Sequence, residues 1–337
     1  MLSRNIWALL SSDFSHGSTS IFAPAGTPAH SIFSLSMLVL GITTAIFLIV
    51  AGLLLYAVIR YRHRTGDANA AQEPPQIYGS TQIELSWTVI PILIVVLLFL
   101  ATTRIILSTQ NAPKPAAALD VTVVGHQYWW EFSYPKLGIV AANELHIPVS
   151  GPKHPTPTYL TMTSADTDHS FWIPRLAGKM DLIPNQINTM WLDPQAPGLY
   201  LGQCAQYCGV QHAKMLLRVY ADNPADFAAW VARQQKPVNN DASSDPQAAA
   251  GRAVFQHNVC ISCHTVAGTV ATGRFGPDLT HLAGRDTIAS GSLPNTPANL
   301  RAFIDNPAAF KPGVLMPAMH LNRQDLDAVT AYLSTLK

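Results

Sequence analysis

The sequence has few cysteines and few charged residues for its length. Four of its 337 residues are cysteine, and Lys, Arg, Asp and Glu together make up 12%. The cysteines form two close pairs, Cys204 with Cys208 and Cys260 with Cys263, each accompanied by histidine, which is typical of cofactor sites and not of a disulfide framework. The formal net charge is +1, and no Lys/Arg cluster is large enough to bind nucleic acid. We therefore expect no nucleic-acid partner.

Two long runs of the sequence contain almost no charge. Residues 31–59 are nearly all apolar, and residues 85–107 are apolar apart from Arg104 near the end, with Pro91 in the first half. A helix of about 20 apolar residues spans the hydrocarbon core of a bilayer, which is roughly 30 Å thick. Both runs therefore predict membrane-spanning helices. The alternative, a pair of buried helices in a soluble protein, is disfavoured by their length and flanks.

The charges beside the first run predict the orientation of the chain. Three arginines, beginning with Arg60, follow it within five residues, and the positive-inside rule places such a cluster in the cytoplasm. We expect a transmembrane helix hairpin over residues 30–108 with a cytoplasmic loop at about 60–83. Both termini then lie on the outer face of the membrane. An N-terminal segment over residues 1–29 is expected to be mostly irregular, because it is rich in Ser, Gly and Pro, and it lacks the apolar core that a cleaved signal peptide needs.

The pattern changes twice beyond the second span. Residues 109–236 contain short alternating runs with β-branched and aromatic residues between Pro and Gly turns, which predict a β-sandwich or barrel. Residues 237–247, rich in Asn, Asp, Ser and Pro, predict a linker. Residues 248–337 begin and end with helical patterns. The strand patterns begin at Val121, Tyr159, Ile187 and Leu216, and helices are predicted at 224–235, 248–257 and 322–336.

A C-x-x-C-H motif lies in the C-terminal domain. Its thiols, Cys260 and Cys263, are the residue types that attach c-type haem, with the adjacent His264 as proximal iron ligand. A zinc site would need a second pair of ligands at comparable spacing, which this domain does not offer. For the sixth iron ligand we favour Met316 over Met319, because the proline after Met316 restricts the backbone. The other interpretation is a methionine packed against the haem or the core.

A second set of soft ligands lies between Cys204 and Met215. Two thiols, the imidazole of His212 and a thioether favour copper used for electron transfer, because sulfur stabilises Cu(I) while nitrogen tolerates Cu(II). His169 offers a second imidazole. A structural zinc site and a Cys204–Cys208 disulfide are the alternatives, although Met215 is a poor zinc ligand.

Six segments of the sequence carry a resemblance to a known family. They are ELSWTVIP at 84–91, GHQYWW at 125–130, SADTDHSFW at 164–172, the Cys204–Met215 stretch, GPDLTHLAGR at 276–285 and KPGVLMP at 311–317. The first four resemble subunit II of haem–copper cytochrome c oxidases, and the last two resemble the cytochrome c domain fused to it in caa-type bacterial oxidases. This resemblance implies a multidomain membrane protein with a two-helix hairpin, an all-β cupredoxin-like copper domain and an all-α class I cytochrome c domain.

The resemblance implies a binuclear copper A centre and a covalently bound haem c. The thiolates of Cys204 and Cys208 would bridge the two coppers, and His169 and His212 would each bind one copper. Met215 and the backbone carbonyl of Gln206 would be the weak ligands. Many relatives carry Glu at position 206, and its carboxylate helps to hold magnesium at the contact with subunit I. Gln206 lacks that charge, so the resemblance alone does not imply a magnesium site in this chain.

Two further roles follow from the resemblance. Tyr128, Trp129 and Trp130 form an aromatic patch where electrons would enter the copper domain, although many relatives carry tryptophan at position 128. Their alternative role is packing in the sheet core. Glu84 aligns with a glutamate at the mouth of a proton-conducting path into subunit I. The alternative for Glu84 is an ordinary acid at the membrane interface.

The resemblance implies the electron-input subunit of a respiratory cytochrome-c oxidase in the bacterial plasma (inner) membrane. Electrons would pass from an external donor, a cytochrome c or a quinol-oxidising complex, through haem c and copper A to subunit I. Subunit III is a further expected partner, and proton translocation would accompany the reaction. Oxygen chemistry would belong to subunit I, because nothing here supplies an oxygen-binding haem with an open position. A flexible linker of about ten residues would keep the haem domain near the copper domain at roughly millimolar effective concentration. The alternatives are the same role in a nitric oxide reductase, and a membrane-anchored copper and haem redox protein without an oxidase partner.

Overall fold

A computed structural model describes most of the chain. The chain forms two compact units. One unit is Ser31–Ala112, and the other combines the preceding residues up to His30 with Pro113–Lys337. Much of the predicted N-terminal segment, cytoplasmic loop and linker lies outside the described residues. The described residues are 19–62, 76, 78–110, 114–116, 118–151, 156–238 and 245–337.

Two long apolar helices account for the predicted hairpin residues. Helix α1 is Thr27–Arg60, with 34 residues, and helix α2 is Thr81–Gln110, with 30 residues. At about 1.5 Å per residue each is long enough to cross a hydrocarbon core of roughly 30 Å. Large apolar side chains are exposed along both helices, as expected for surfaces that contact lipid. Both helices begin four residues before the predicted apolar runs (27 against 31, 81 against 85), because helical geometry extends into polar flanks.

The second unit contains a β-sandwich. In the described residues one sheet has the strand order β3-β2-β1-β5-β8 and the other has the order β4-β10-β9-β6-β7. The pairs β1/β5 and β4/β10 are parallel. The strands are β1 (Leu119–His126), β2 (Trp129–Tyr134), β3 (Ile139–Ala142), β4 (Glu144–Pro148), β5 (Thr158–Ser164), β6 (His169–Trp172), β7 (Met180–Leu182), β8 (Asn188–Leu192), β9 (Gly198–Cys204) and β10 (Leu216–Asp222).

The core lies between the two sheets and explains why these residues form strands. Buried and partly exposed residues alternate along β1, because successive side chains of a strand point to opposite faces. Trp130, Phe132 and Phe171 are fully buried and make edge-to-face ring contacts at 5.5 to 6.2 Å between centroids. Helix α3 (Pro224–Gln234) adds Trp230, whose ring packs on Tyr134 of the core. The predicted all-β domain is therefore confirmed.

The C-terminal domain is mainly helical, as predicted. Its first and last helices pack against each other, with the rings of Phe255 and Tyr332 5.8 Å apart. Asn322 is the N-cap of the last helix, since its side chain accepts a hydrogen bond from the amide of Asp325 at 2.9 Å. A pair of two-residue strands was not predicted, because so short a pair has no periodicity. The elements are α4 (Pro246–His257), α5 (Cys260–Cys263), β11 (Thr287–Ile288), β12 (Leu293–Pro294), α6 (Pro297–Asp305), α7 (Pro307–Phe310) and α8 (Arg323–Leu333).

Candidate copper and haem sites

All six predicted copper ligands meet at one end of the β-sandwich. Sγ of Cys204 lies 3.9 Å from Sγ of Cys208, 3.9 Å from Nδ1 of His169 and 3.1 Å from the carbonyl oxygen of Gln206. Sγ of Cys208 lies 3.8 Å from Nδ1 of His212 and 3.8 Å from Sδ of Met215. The potential ligand atoms of His169, Cys204 and Cys208 lie within 4.8 Å of one another.

Sheet pairing brings the separated ligands together. Cys204 ends β9 and His169 begins β6, and these neighbouring antiparallel strands pair Phe171 with Cys204. Met215 directly precedes β10, the other neighbour of β9, and its carbonyl accepts a hydrogen bond from the Cys204 amide. The loop between β9 and β10 therefore places its ligands opposite His169.

The thiols of Cys204 and Cys208 differ in acidity because they interact with each other. The hydrogen bond with Cys208 lowers the pKa of the Cys204 thiol to about 3, and the hydrogen bond with Cys204 together with burial raises the pKa of the Cys208 thiol. Burial alone would lower the pKa of His169, but hydrogen bonds with Asp166 and Cys204 raise it instead. One thiolate is therefore favoured even before a cation arrives, and a bound metal would favour the second.

Asp166 fixes the ring of His169, and sequence reasoning did not find it. Oδ1 of Asp166 lies 2.9 Å from Nε2 of His169, and Oδ2 accepts a hydrogen bond from the Gln127 amide at 2.6 Å. Burial would raise the pKa of Asp166, but hydrogen bonds from His169, Thr167 and Gln127 outweigh it and lower the pKa. The carboxylate three residues before a candidate ligand is the signal that could have identified it.

Gly125 leaves room for the same histidine. A Cβ atom at position 125 would lie 2.8 Å from Cδ2 of His169, closer than real side-chain contacts. Gly125 belongs to β1, in the sheet that faces the copper candidates, so a larger residue there would displace the imidazole. The segment GHQYWW, noted in the sequence for its resemblance, thus begins with a residue whose small size the site requires.

These donors fit a copper cluster by their chemistry. Ligands that bind one metal at about 2.0–2.3 Å lie within roughly 4 Å of one another, which matches the separations found here. His169 and Met215 are fully buried and both thiols are 3% exposed, so these four donors are shielded from water, while His212 is half-buried. Soft sulfur, imidazole nitrogen and exclusion of water suit copper used for electron transfer.

The haem candidates line a cavity in the C-terminal domain. Cys260, Cys263, His264 and Met316 all face it, together with mostly apolar side chains that suit a haem macrocycle. Nδ1 of His264 lies 2.8 Å from the carbonyl oxygen of Pro277 and can donate to it, which leaves Nε2 for iron. Burial lowers the pKa of His264, which favours the neutral form that binds metal. Met319 lines the same cavity, so lining alone does not decide between the two methionines.

The three residues of the aromatic patch lie in two different places. Tyr128 and Trp129 form part of the haem cavity wall, and Trp129 stacks on His126 with 4.1 Å between ring centroids. A Cβ atom at Gly209 would collide with the hydroxyl of Tyr128, so this ring reaches the residue beside Cys208. Trp130 is buried in the sandwich, and its centroid lies 5.9 Å from that of His169.

The chain combines a cupredoxin-like sandwich that carries a cluster of soft metal ligands, a helical domain with a C-x-x-C-H motif, and two helices that could span a membrane. This combination defines a membrane-anchored electron-transfer protein. The chain belongs to the cytochrome c oxidase subunit 2 family. Three family descriptions match it in succession: the transmembrane domain of cytochrome c oxidase subunit II at residues 16–105, its periplasmic domain at 143–221, and cytochrome c at 248–337.

Relatives match nearly the whole chain. A protein named cytochrome c oxidase subunit 2 from Alkalihalophilus pseudofirmus is 35% identical, over 93% of this chain and 90% of its own length. One of the same name from Bacillus sp. strain PS3 is also 35% identical, over 94% and 91%. A solved structure of the periplasmic domain of subunit II of cytochrome oxidase from Bradyrhizobium japonicum is 27% identical, with TM-score 0.33, and covers 36% of this chain and 96% of that one.

Family membership supports electron input to a haem–copper oxidase. It implies subunit I as a partner and a cytochrome c as donor, and the matches to the subunit II periplasmic domain and to cytochrome c imply copper A and haem c. The two apolar helices and the transmembrane-domain match indicate an inner-membrane protein.

Proposed function

We propose that this chain receives electrons from an external donor at its haem domain and passes them by way of its copper domain to subunit I. When bound, haem c and copper A supply one-electron carriers at the two sites. Cys260, Cys263 and His264 would hold the haem, with Met316 as the sixth ligand. The observation that supports the proposal most strongly is that the six copper donors converge in one cluster, of which His169, Cys204, Cys208 and Met215 are buried.

The protein's own residues hold the histidine ligands of both sites in fixed orientations. Asp166 and the Pro277 carbonyl set the ring orientations of His169 and His264. Fixed ligands limit the rearrangement that accompanies electron transfer, which favours a fast carrier. The copper ligands would be Cys204, Cys208, His169, His212, Met215 and the carbonyl of Gln206.

Tyr128 and Trp129 lie at the haem cavity, and Tyr128 extends from it to the copper loop. Both line the haem cavity, and Tyr128 also reaches Gly209, the residue after Cys208. They are therefore the electron-input residues of the copper domain in our proposal. Trp130, which lies against His169 in the core, would support that ligand from behind.

The membrane part of the proposal concerns orientation and protons. Both outer domains would lie on the periplasmic side, with Glu84 at the cytoplasmic start of α2. Glu84 would serve as the mouth of a proton path into subunit I, so that electron input is coupled to proton translocation. Subunit III would complete the assembly.

Metal and haem analysis of the detergent-purified complex tests this function, together with oxygen uptake. Wild type should carry two coppers more than a Cys208→Ser variant, with one covalent haem on this chain in both samples. The comparison assigns the copper to this chain whatever other metals the complex contains. Zinc in place of the two coppers would contradict the proposal.

A further inference from the structure

Two groups of contacts join the haem domain to the copper domain. The first, here called the Glu144 patch, consists of Asn143, Glu144, Leu216 and Tyr220 of the copper domain with Asp286, Thr287 and Ser290 of the haem domain. The second, the Lys311 patch, consists of Tyr128, Gln211 and Lys214 of the copper domain with Phe310, Lys311 and Pro312 of the haem domain.

A buried carboxylate forms the centre of the Glu144 patch. Glu144 is 5% exposed and accepts hydrogen bonds from the amide of Thr287 at 2.8 Å, its hydroxyl at 2.7 Å and the amide of Asp286 at 3.1 Å. Burying a carboxylate costs free energy unless its oxygens receive hydrogen bonds, and bonds to a charged acceptor are the stronger kind. Here residues of the other domain donate these bonds. The hydroxyl of Tyr220 adds a bond to Asp286 at 2.6 Å.

A buried lysine of the haem domain forms the centre of the Lys311 patch, whereas the central residue of the Glu144 patch comes from the copper domain. Lys311 is 2% exposed, and its Nζ donates a hydrogen bond to the carbonyl oxygen of Tyr128 at 3.0 Å. Burial lowers the pKa of Lys311 to about 7. Gln211 and Lys214, on either side of His212, donate to the carbonyls of Pro312 and Phe310 at 2.5 and 2.8 Å.

The backbone of the haem domain is shaped for this contact. Gly313 has a φ of +82°, which side-chain-bearing residues rarely adopt, and a Cβ atom there would collide with Val210 of the copper domain. The close approach therefore needs glycine for two independent reasons. The close approach of Gly313 to Val210 places the segment that leads to Met316 directly against the loop that carries Cys208 and His212.

The patches border the haem cavity from two sides. Asn143 and Tyr128 of the copper domain line the cavity, and so do Thr287, Ser290 and Lys311 of the haem domain. We propose that Glu144 and Lys311 act as a two-point latch that holds the haem domain in one docked position, with its cavity closed by Tyr128 and Trp129. The latch rests on the proposed function, since it makes transfer between the two sites independent of domain diffusion. Glu144 and Lys311 are positioning residues.

Hydrogen–deuterium exchange of the purified, cofactor-loaded complex tests the latch. The amide of Val314 bonds to Lys311 and the amide of Lys214 bonds to Gln211, so both report on the Lys311 patch. Glu144→Ala should speed exchange at both amides roughly tenfold or more, although neither amide bonds to Glu144. Conversely, Lys311→Met should speed exchange at the amides of Asp286 and Thr287.

Two controls separate docking from other effects. Asp181→Ala removes an exposed acid from β7, at the opposite edge of the sheet that begins with β4, and should leave both patches unchanged. Exchange in α8 should stay at the wild-type rate in every variant, and Glu144→Gln, which keeps one acceptor oxygen, should give a smaller effect than alanine.

Faster exchange confined to Asp286 and Thr287 in Glu144→Ala would overturn the latch, because Glu144 would then act only locally. Faster exchange in α8 would overturn it too, since Glu144 would then support the fold of the haem domain. Copper and haem contents of the same samples report separately on the proposed function, so the two ideas fail independently.

Discussion

Asp166 and His169 form a hydrogen-bonded pair in which Oδ1 of the carboxylate lies 2.9 Å from Nε2 of the imidazole. The other ring nitrogen, Nδ1, lies 3.9 Å from Sγ of Cys204. A carboxylate on the far nitrogen of a metal-binding histidine fixes its tautomer and increases its basicity. In the proposed copper site, Asp166 would therefore orient His169 to bind copper through Nδ1.

Replacing Asp166 with Asn should weaken copper binding while the fold stays intact. The amide removes the negative charge that favours the required tautomer, and loss of such a partner typically lowers metal affinity by about 10- to 100-fold. Copper retention during titration with a chelator measures the change. Asp168→Asn is the matched control, because Asp168 is exposed and lies two residues away. Equal copper retention in the two variants would remove the role given to Asp166.

Met316→Leu should lower the reduction potential of the covalent haem. A methionine ligand raises the potential of haem iron, and leucine offers no donor atom. Haem attachment should not change, because Cys260 and Cys263 remain. Met319→Leu provides the control, since Met319 lines the same cavity. A fall in potential with Met319→Leu and not with Met316→Leu would assign the sixth ligand to Met319.

Gln206→Glu should create or strengthen a magnesium site without altering the copper spectrum. The carbonyl of residue 206, which lies 3.1 Å from Sγ of Cys204, is unchanged by the substitution. The exposed side chain gains the carboxylate that hard divalent cations prefer. Binding of paramagnetic Mn²⁺ to the intact complex, compared with wild type, measures the gain. A perturbed copper spectrum would show instead that the side chain influences the copper ligands.

Glu84→Gln should slow oxygen turnover and leave the copper spectrum as in wild type. Glu84 lies in the first turn of α2, and the amide cannot release a proton. Glu84→Asp, which keeps a titratable group, should retain more activity than the glutamine variant. If turnover is the same in wild type and Glu84→Gln, the acid has only an interfacial role.

Local ligand spacing explains how much of the copper site could be predicted. Cys204, Cys208, His212 and Met215 lie close together in the sequence, at the end of β9 and in the segment that follows it, so their chemistry can be recognised from neighbouring positions. His169 lies 35 residues before Cys204, and its place depends on β6 lying beside β9. Hydrophobic periodicity does not reveal which strands are neighbours, so the residues alone offered His169 only as an available second imidazole, and its place in the ligand set came from family resemblance.

The strands and helices that could be predicted are likewise those with a recognisable local pattern. Long alternating runs such as β1 and β5 were predicted, whereas β6 and β7, with four and three residues, are too short to show a period. The α4 and α8 helices were predicted because their apolar positions repeat and, for α8, because Asn322 caps the helix.

Docking of the haem domain had no signal in the sequence. Glu144 and Thr287 are separated by 143 residues, and each is an ordinary polar residue in its own segment. The sequence instead suggested a haem domain tethered by a flexible linker. Only the folded chain brings the carboxylate to the amides that bind it.

The most direct test of the electron route follows the haem c and copper A absorbances together after the oxygen-free complex is mixed with a reduced donor. We predict that the haem signal changes first and that the copper signal follows in a second phase. In the Cys208→Ser variant the second phase should disappear, and the haem should remain reduced. A copper signal that changes before the haem signal, or at a rate unrelated to it, would contradict electron input through the haem domain.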